Sequence, residues 1–365
     1  MTIQARDSVL KIHAYVPGGA EIEGFDKVVK LASNENPLGP SPKALAALAD
    51  SKSLHLYPDG GANILRQAIA DKYDLPKDNI VCGAGSEQLI SLMTQAFAGP
   101  GDEVLYSEYG FLVYSISAMA AGATPVAAKE VDYHCSVDNL LAAVTNKTKV
   151  LYLANPNNPT GTLMPKDEIY RLRRELRDDI LLVIDAAYAE YVDDENYSAG
   201  HDLVKQSMAD GSNNVAVLHT FSKIYGLAAV RVGWCFGPDN VVGALTRVRG
   251  AFNCSTLAQV SAVAALNDDG HVNASKSLND EWLAKVTDAL TDLGLYIPKS
   301  YGNFVLCRFP GGAEQAKACD DFLKSQGVIV RPVGGYGLVD CLRISIGTAE
   351  ENQAMLKAMT AFFNQ

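Results

Sequence analysis

Apolar positions along the chain fall into two kinds of run. Short unbroken runs occur at 103–106, 125–128, 150–154, 180–184 and 215–218, as strands buried on both faces would show. Between them lie stretches with helical spacing. In 166–177, Ile169, Leu172 and Leu176 share one face, and after a glycine-rich loop Leu89, Ile90, Met93 and Phe97 do the same. Continuous apolar strands alternating with amphipathic helices predict an α/β fold with a mostly parallel sheet flanked by helices. From about residue 275 the pattern changes. Residues 275–293 read as a long helix, 303–309 as a strand, 313–326 as a helix, 328–331 and 341–345 as strands, and 349–363 as a closing helix. The expected organisation is a large domain over 34–274, a smaller α/β domain over 275–365, and an N-terminal arm, 1–33, that joins the smaller one. Within the arm, 28–32 reads as a short strand. Three prolines and a glycine exclude helix from 33–42, at whose end Ser41 and Pro42 make a helix start.

At 365 residues the chain exceeds the roughly 250–300 at which one core stops growing, which favours two domains. The formal net charge is −11 and no long basic run occurs, so neither nucleic acid nor an anionic membrane surface is an expected partner. Any phosphate has to be met by a few local arginines. The seven cysteines are widely spaced and form no C-x-x-C pair. A disulfide framework and a zinc site are therefore not expected, no metal is assigned, and a reducing cytoplasm is the expected location. No signal-peptide core and no membrane-length apolar span are legible.

The chemistry concentrates after the apolar runs. The run 215–218 leads into Thr220-Phe221-Ser222-Lys223, with Arg231 eight positions beyond the lysine. A lysine desolvated at a strand end favours its neutral, nucleophilic form. Thr220 and Ser222 offer hydroxyls, and Arg231 a rigid fork of donors for an oxyanion. Together they suit a ligand with both a carbonyl and a phosphate, for which pyridoxal phosphate (PLP) is the candidate; the alternative is a surface lysine in a loop. Gly83-Ala84-Gly85-Ser86-Glu87 reads as a glycine loop opening a helix, with Ser86 expected as its cap and the free N–H groups as an anion site. Gln88 stands where a dinucleotide fingerprint needs its third glycine. Asn155 to Gly161 follows another apolar run, and Asp185-Ala186-Ala187-Tyr188 follows the next. In open α/β sheets ligands bind beyond the carboxyl ends of the strands, where all of these groups fall.

Asn34-Glu35-Asn36-Pro37, Tyr57-Pro58, the 155–161 loop, Asp185-Ala186-Ala187-Tyr188, Ser222-Lys223 with Arg231, and Leu342-Arg343 occur in an order that resembles the fold-type I PLP-dependent aminotransferases. Within them the resemblance is to the histidinol-phosphate branch, and it spans essentially the whole chain. It implies that Lys223 carries PLP as a Schiff base and then moves the substrate proton, that Asp185 pairs with the ring nitrogen, and that Asn158 and Tyr188 bond the ring hydroxyl. Phe111 would stack on the ring, with Tyr109 and Tyr114 near enough in sequence to compete for that place. Gly85, Ser86, Glu87, Thr220, Ser222 and Arg231 would hold the phosphate. Tyr57 would reach the cofactor of a neighbouring subunit, which implies a homodimer with shared sites. Tyr15, Asn34, Arg331 and Arg343 would bind substrate. The sequence departs from some members at Gly83-Ala84-Gly85-Ser86 and at Ser107-Glu108. The implied reaction exchanges an amino group between histidinol phosphate and 2-oxoglutarate, yielding glutamate. Transamination of aromatic amino acids on the same scaffold, and a PLP-fold binding protein without turnover, are the alternatives.

Overall fold

The structure is a computed structural model that describes residues 2–14 and 18–365. Its strands are β1 (Val29–Lys30), β2 (Ile80–Gly83), β3 (Glu103–Ser107), β4 (Thr124–Ala128), β5 (Thr148–Ala154), β6 (Leu181–Asp185), β7 (Val215–Thr220), β8 (Gly233–Phe236), β9 (Phe304–Arg308), β10 (Val328–Ile329), β11 (Arg331–Val333) and β12 (Leu338–Ser345). Among the described residues, β2 to β8 form a seven-stranded sheet in the order β2-β8-β7-β6-β5-β3-β4. It is parallel except for β8, which runs against both of its neighbours.

The unbroken apolar runs are explained by two covered faces. Successive residues of one strand enter opposite cores. Leu182 and Ile184 of β6, with Val215 and Val217 of β7, pack into one cluster; Leu181, Val183, Ala216 and Leu218 pack into the other. A period-two alternation of side chains thus disappears from the hydropathy pattern because both sides are dry. Helix Gly85–Phe97 covers the second face with Leu89, Ile90 and Met93. Helix Lys166–Glu175 covers the first with Ile169 and Leu172.

The C-terminal part has its own core, in which Val305, Cys307, Leu342 and Ile344 meet Leu323, Met355 and Met359. Strands β11, β12 and β9 form an antiparallel sheet there. Leu31 belongs to this core, and β1 pairs in parallel with β10. The N-terminal chain is therefore stitched to the C-terminal end.

Four sequence expectations change. The apolar stretch 328–331 is not one strand: β10 serves β1 while β11 turns to pair with β12, because the two neighbours lie in different sheets. The long helix begins at Asp269, ahead of residue 275. β8 was not legible: it is four residues long and opens on a glycine. Ser86 is not the helix cap. Ala84 occupies that position, its N–H bonded to the side chain of Gln88 at 2.8 Å, and Ser86 lies inside the first turn.

Gly226 shows how tightly the Lys223 loop is seated. Its φ is +67°, and a Cβ there would collide with the carbonyl of Gly39. Gly226→Ala is expected to lower unfolding free energy by about 2–4 kcal/mol, through backbone strain and displacement of the 36–40 turn. A denaturation midpoint equal to that of the wild type would contradict this packing.

Candidate active site

The carboxyl ends of β5, β6 and β7 open into a cavity of about 250 Å³. Asn34, Ser86, Glu87, Phe111, Asn158, Asp185, Tyr188, Thr220, Ser222, Lys223, Arg231 and Arg343 line it, so twelve of the expected site residues are brought together.

Asp185 is the last residue of β6 and is buried. The Tyr114 hydroxyl donates to its Oδ2 at 2.8 Å, while Oδ1 is buried with no hydrogen-bond partner. Burial raises its pKa; the Tyr114 hydrogen bond, the nearby Ala187 N–H and the charges on His219 and Lys223 oppose the rise. A buried carboxylate with one oxygen unpartnered is a place for a cationic or N–H donor. Tyr114 is fixed in turn by parallel stacking on Tyr152, ring centroids 4.7 Å apart. Sequence reasoning placed Tyr114 only as a rival for the stacking position. The signal available was its spacing, one helical turn beyond Phe111. In the structure Phe111 faces the cavity, Tyr114 meets it edge-on at 6.0 Å, and Tyr109 packs elsewhere, beside Tyr133.

Lys223 follows β7 on a loop closed at its base by the Phe221 N–H to the Val232 carbonyl, 3.1 Å. Its Nζ donates to the carbonyl of Ser33 at 3.3 Å. Burial first, then the positive charge of Arg343, brings its pKa down to about 8, with Glu35 and Asp185 opposing and Arg231 assisting.

An oxyanion cradle sits beside it. Thr220 Oγ1 accepts from the Ser222 N–H at 3.1 Å and donates to Ser222 Oγ at 3.0 Å, and Arg231 Nη1 donates to Ser222 Oγ at 3.3 Å. The antiparallel turn into β8 returns the chain to the strand ends and so delivers Arg231, which adopts a left-handed φ of +59°. Gly85 does not itself line the cavity; it makes room. A Cβ on it would lie 2.5 Å from Arg231 Nη2. The helix start at Ser86 and Glu87 adds N–H groups to the same wall.

The N-terminal segment 32–36 closes the cavity from the C-terminal side. Asn34, at φ +54°, donates from Nδ2 to the Tyr188 hydroxyl at 2.9 Å and from its N–H to Ser345 Oγ at 2.8 Å. Arg343 donates to the carbonyl of Ala32 at 2.8 Å and to Asn158 Oδ1. It lies within β12, inside the stretch 341–345 expected as a strand; Arg331 begins β11, opposite Arg343, and does not line the cavity. Tyr57 is apart from the cavity, 81% exposed and stacked on Phe252 at 4.5 Å. Tyr15 lies outside the described residues. Ser33, Glu35 and Ser345 were missed as contributors because their role is carried by a carbonyl or a partner contact that no spacing reveals. Among the described residues no cluster of His, Cys, Asp and Glu could hold a metal ion.

The profile of aminotransferases of class I and II matches residues 26–359. A histidinol-phosphate aminotransferase of Paramagnetospirillum magneticum is 53% identical over 98% of both chains. One from Rhodopseudomonas palustris is 45% identical over 98% of this chain and 97% of its own. The crystal structure of histidinol-phosphate aminotransferase from Sinorhizobium meliloti in complex with pyridoxal-5'-phosphate superimposes with a TM-score of 0.90 at 25% identity, covering 100% of this chain and 98% of that one. With a profile match across most of its length and relatives of this identity, the chain belongs to the class I and II aminotransferases.

Proposed function

We propose that the chain is a PLP-dependent histidinol-phosphate aminotransferase of histidine biosynthesis, exchanging an amino group between L-histidinol phosphate and 2-oxoglutarate. The activity is that of relatives sharing about half of its residues end to end. The observation that carries the cofactor assignment is the buried, unpartnered Oδ1 of Asp185 in the cavity that Lys223 also lines. An N–H on a pyridinium ring satisfies that oxygen. The Thr220–Ser222–Arg231 cradle fits a phosphate monoester. When bound, pyridoxal phosphate supplies an electron sink that makes a proton on the amine-bearing carbon removable.

The chain's residues do the rest. Lys223 holds the cofactor, and its freed amine takes and returns the proton at the substrate carbon. A pKa brought down to about 8 leaves part of the amine neutral near physiological pH. Asp185 keeps the ring nitrogen protonated, and Asn158 and Tyr188 orient the ring. Phe111 fixes the ring plane and limits water on that face. Arg343 and Asn34 on the cavity wall, joined by Tyr15 and by Arg331 from beside Arg343 on the neighbouring strand, receive the anionic ends of the two substrates, a phosphate in one and a distal carboxylate in the other. Because both ends are anions that an arginine fork fits, one site can accept them in turn.

We infer a homodimer with shared sites from the exposed apolar stretch of Leu54, Leu56, Tyr57 and Phe252, with Tyr57 reaching the neighbour's cofactor phosphate. We read residues 1–33 as an arm that joins the smaller domain, 275–365, beside the large domain, 34–274. No helix among the described residues is long and apolar enough to cross a membrane, and we place the enzyme in the cytoplasm.

Three outcomes are expected. In a substrate panel with 2-oxoglutarate as acceptor, kcat/KM for histidinol phosphate exceeds that for phenylalanine or tyrosine by roughly a hundredfold or more, and Lys223→Ala lowers all rates at least about a thousandfold. Comparable values for tyrosine would assign the aromatic reaction instead. In cofactor-free protein, Lys223 has a folded pKa of about 8 against an unfolded value near 10.4, so the unfolded state binds more protons between them. Its contribution therefore rises as pH climbs through that window, and the stability difference between wild type and Lys223→Met changes there. A pH-independent difference contradicts the depressed pKa. Finally, sedimentation gives a dimer, and Tyr57→Phe weakens PLP affinity roughly tenfold, the effect of one lost hydrogen bond. A monomer with full affinity rules out shared sites.

A further inference from the structure

Phe111 reaches the cavity on a turn, so its ring goes where that turn is held. β3 ends at Ser107 and the next helix begins at Val113. Between them the Gly110 N–H closes on the Ser107 carbonyl at 2.8 Å. Tyr109, in the middle, is gripped at both backbone polar groups. Its N–H donates to Oε1 of Glu130 at 3.2 Å, and its carbonyl accepts from Nδ2 of Asn157 at 3.3 Å. Glu130 lies two residues beyond β4, and its own N–H donates to Glu108 Oε2 at 3.2 Å, so turn and strand end clasp each other.

The side chain of Tyr109 is drawn the other way. It packs with Tyr133 and Leu112 against the cluster of Leu306, Val333, Tyr336, Leu338 and Cys341, which belongs to the C-terminal sheet. Without a grip on its backbone, the turn would be free to follow that sheet. Glu130 meets this need at a cost. Its Oε2 is buried with no hydrogen-bond partner, and burial, with the Glu108 carboxylate adding, pushes the carboxyl up to about 7 against the nearby Ser107 hydroxyl and the Tyr109 N–H. Filling the space needs no carboxyl; an apolar side chain of that length would avoid the desolvation penalty.

We propose that Glu130 is a positioning residue for the cofactor-stacking ring: by holding the Tyr109 amide it ties the turn to the large sheet and fixes Phe111 over the cavity. The inference rests on the reading of Phe111 as the residue that stacks on PLP.

The test uses protein reconstituted with pyridoxal phosphate and three variants. Glu130→Gln keeps an acceptor at the same reach. Glu130→Met fills the volume without one. Glu130→Asp keeps the charge but withdraws it by one methylene, and carries the comparison should the Met variant not fold. Met and Asp are expected to weaken PLP binding roughly tenfold, to reduce the induced circular dichroism of the cofactor band, and to speed hydrogen exchange of the Tyr109 amide; Gln retains wild-type values within about twofold. In a Phe111→Leu background the Met change should add nothing further to the PLP loss. Reach-lacking variants with wild-type binding and dichroism overturn the inference, as does a Gln variant as damaged as Met. A lowered melting temperature with unchanged dichroism well below it would make Glu130 merely structural and also overturns it. Wild type that develops no cofactor band at all overturns the PLP reading itself and this inference with it.

Discussion

The buried carboxylate of Asp185 constrains the site more than any other group. It stands at the end of a strand whose every residue is buried, where an unpaired charge is costly. One oxygen is satisfied by Tyr114, and the other is left for a ligand. That division fixes where a donor must sit, and the remaining geometry follows from it. Phe111 lies on the cavity wall edge-on to Tyr114, and Lys223 approaches from the end of the neighbouring strand. The fold provides this without special loops, because parallel strands bring their carboxyl ends to one edge. The single antiparallel strand, β8, does the complementary work: it starts where its neighbours end, so Arg231 arrives at that edge too.

The second constraint is that the wall opposite the sheet comes from the chain's beginning and end together. Asn34 is the joint. Its side chain bonds Tyr188 beyond β6, its backbone bonds Ser345 in β12, and Asn303 donates to its carbonyl at 3.1 Å. Asn34 adopts a left-handed φ, which asparagine enters more readily than most residues, and its side chain is held there by Tyr188 and Ser345. The carbonyls of Ala32 and Ser33, one residue apart, receive Arg343 and Lys223. The same short segment therefore touches both the arginine proposed to meet substrate anions and the amine proposed to move the proton.

Much of this was legible in the sequence, and the reason is physical. Doubly buried strands leave unbroken apolar runs, and the chemical residues follow those runs directly, as Asp185 and Thr220 to Lys223 do. Roles carried by side-chain identity at a strand end can be read. Roles carried by backbone carbonyls, by a tyrosine reaching back from a helix, or by a carboxyl holding a turn cannot. Ser33, Tyr114 and Glu130 all escaped for that reason. Boundaries failed where tertiary pairing outweighed local pattern, as when residues 328–331 divided between two sheets.

The electrostatics of the cavity bring the two constraints together. A chain with a net charge of −11 gathers Lys223, Arg231 and Arg343 around one small volume, among the carboxylates of Glu35, Glu87 and Asp185. After burial, it is the Arg343 charge that most lowers the Lys223 pKa. An anion seated on Arg343 offsets that charge and returns basicity to the lysine. The amine is thus least basic when it must be neutral to hold its partner, and regains basicity once an anionic substrate has arrived and a proton must be taken. In the proposed reaction Arg343 and Lys223 share one electrostatic field, so a change at position 343 would alter both anion binding and the acid–base behaviour of residue 223.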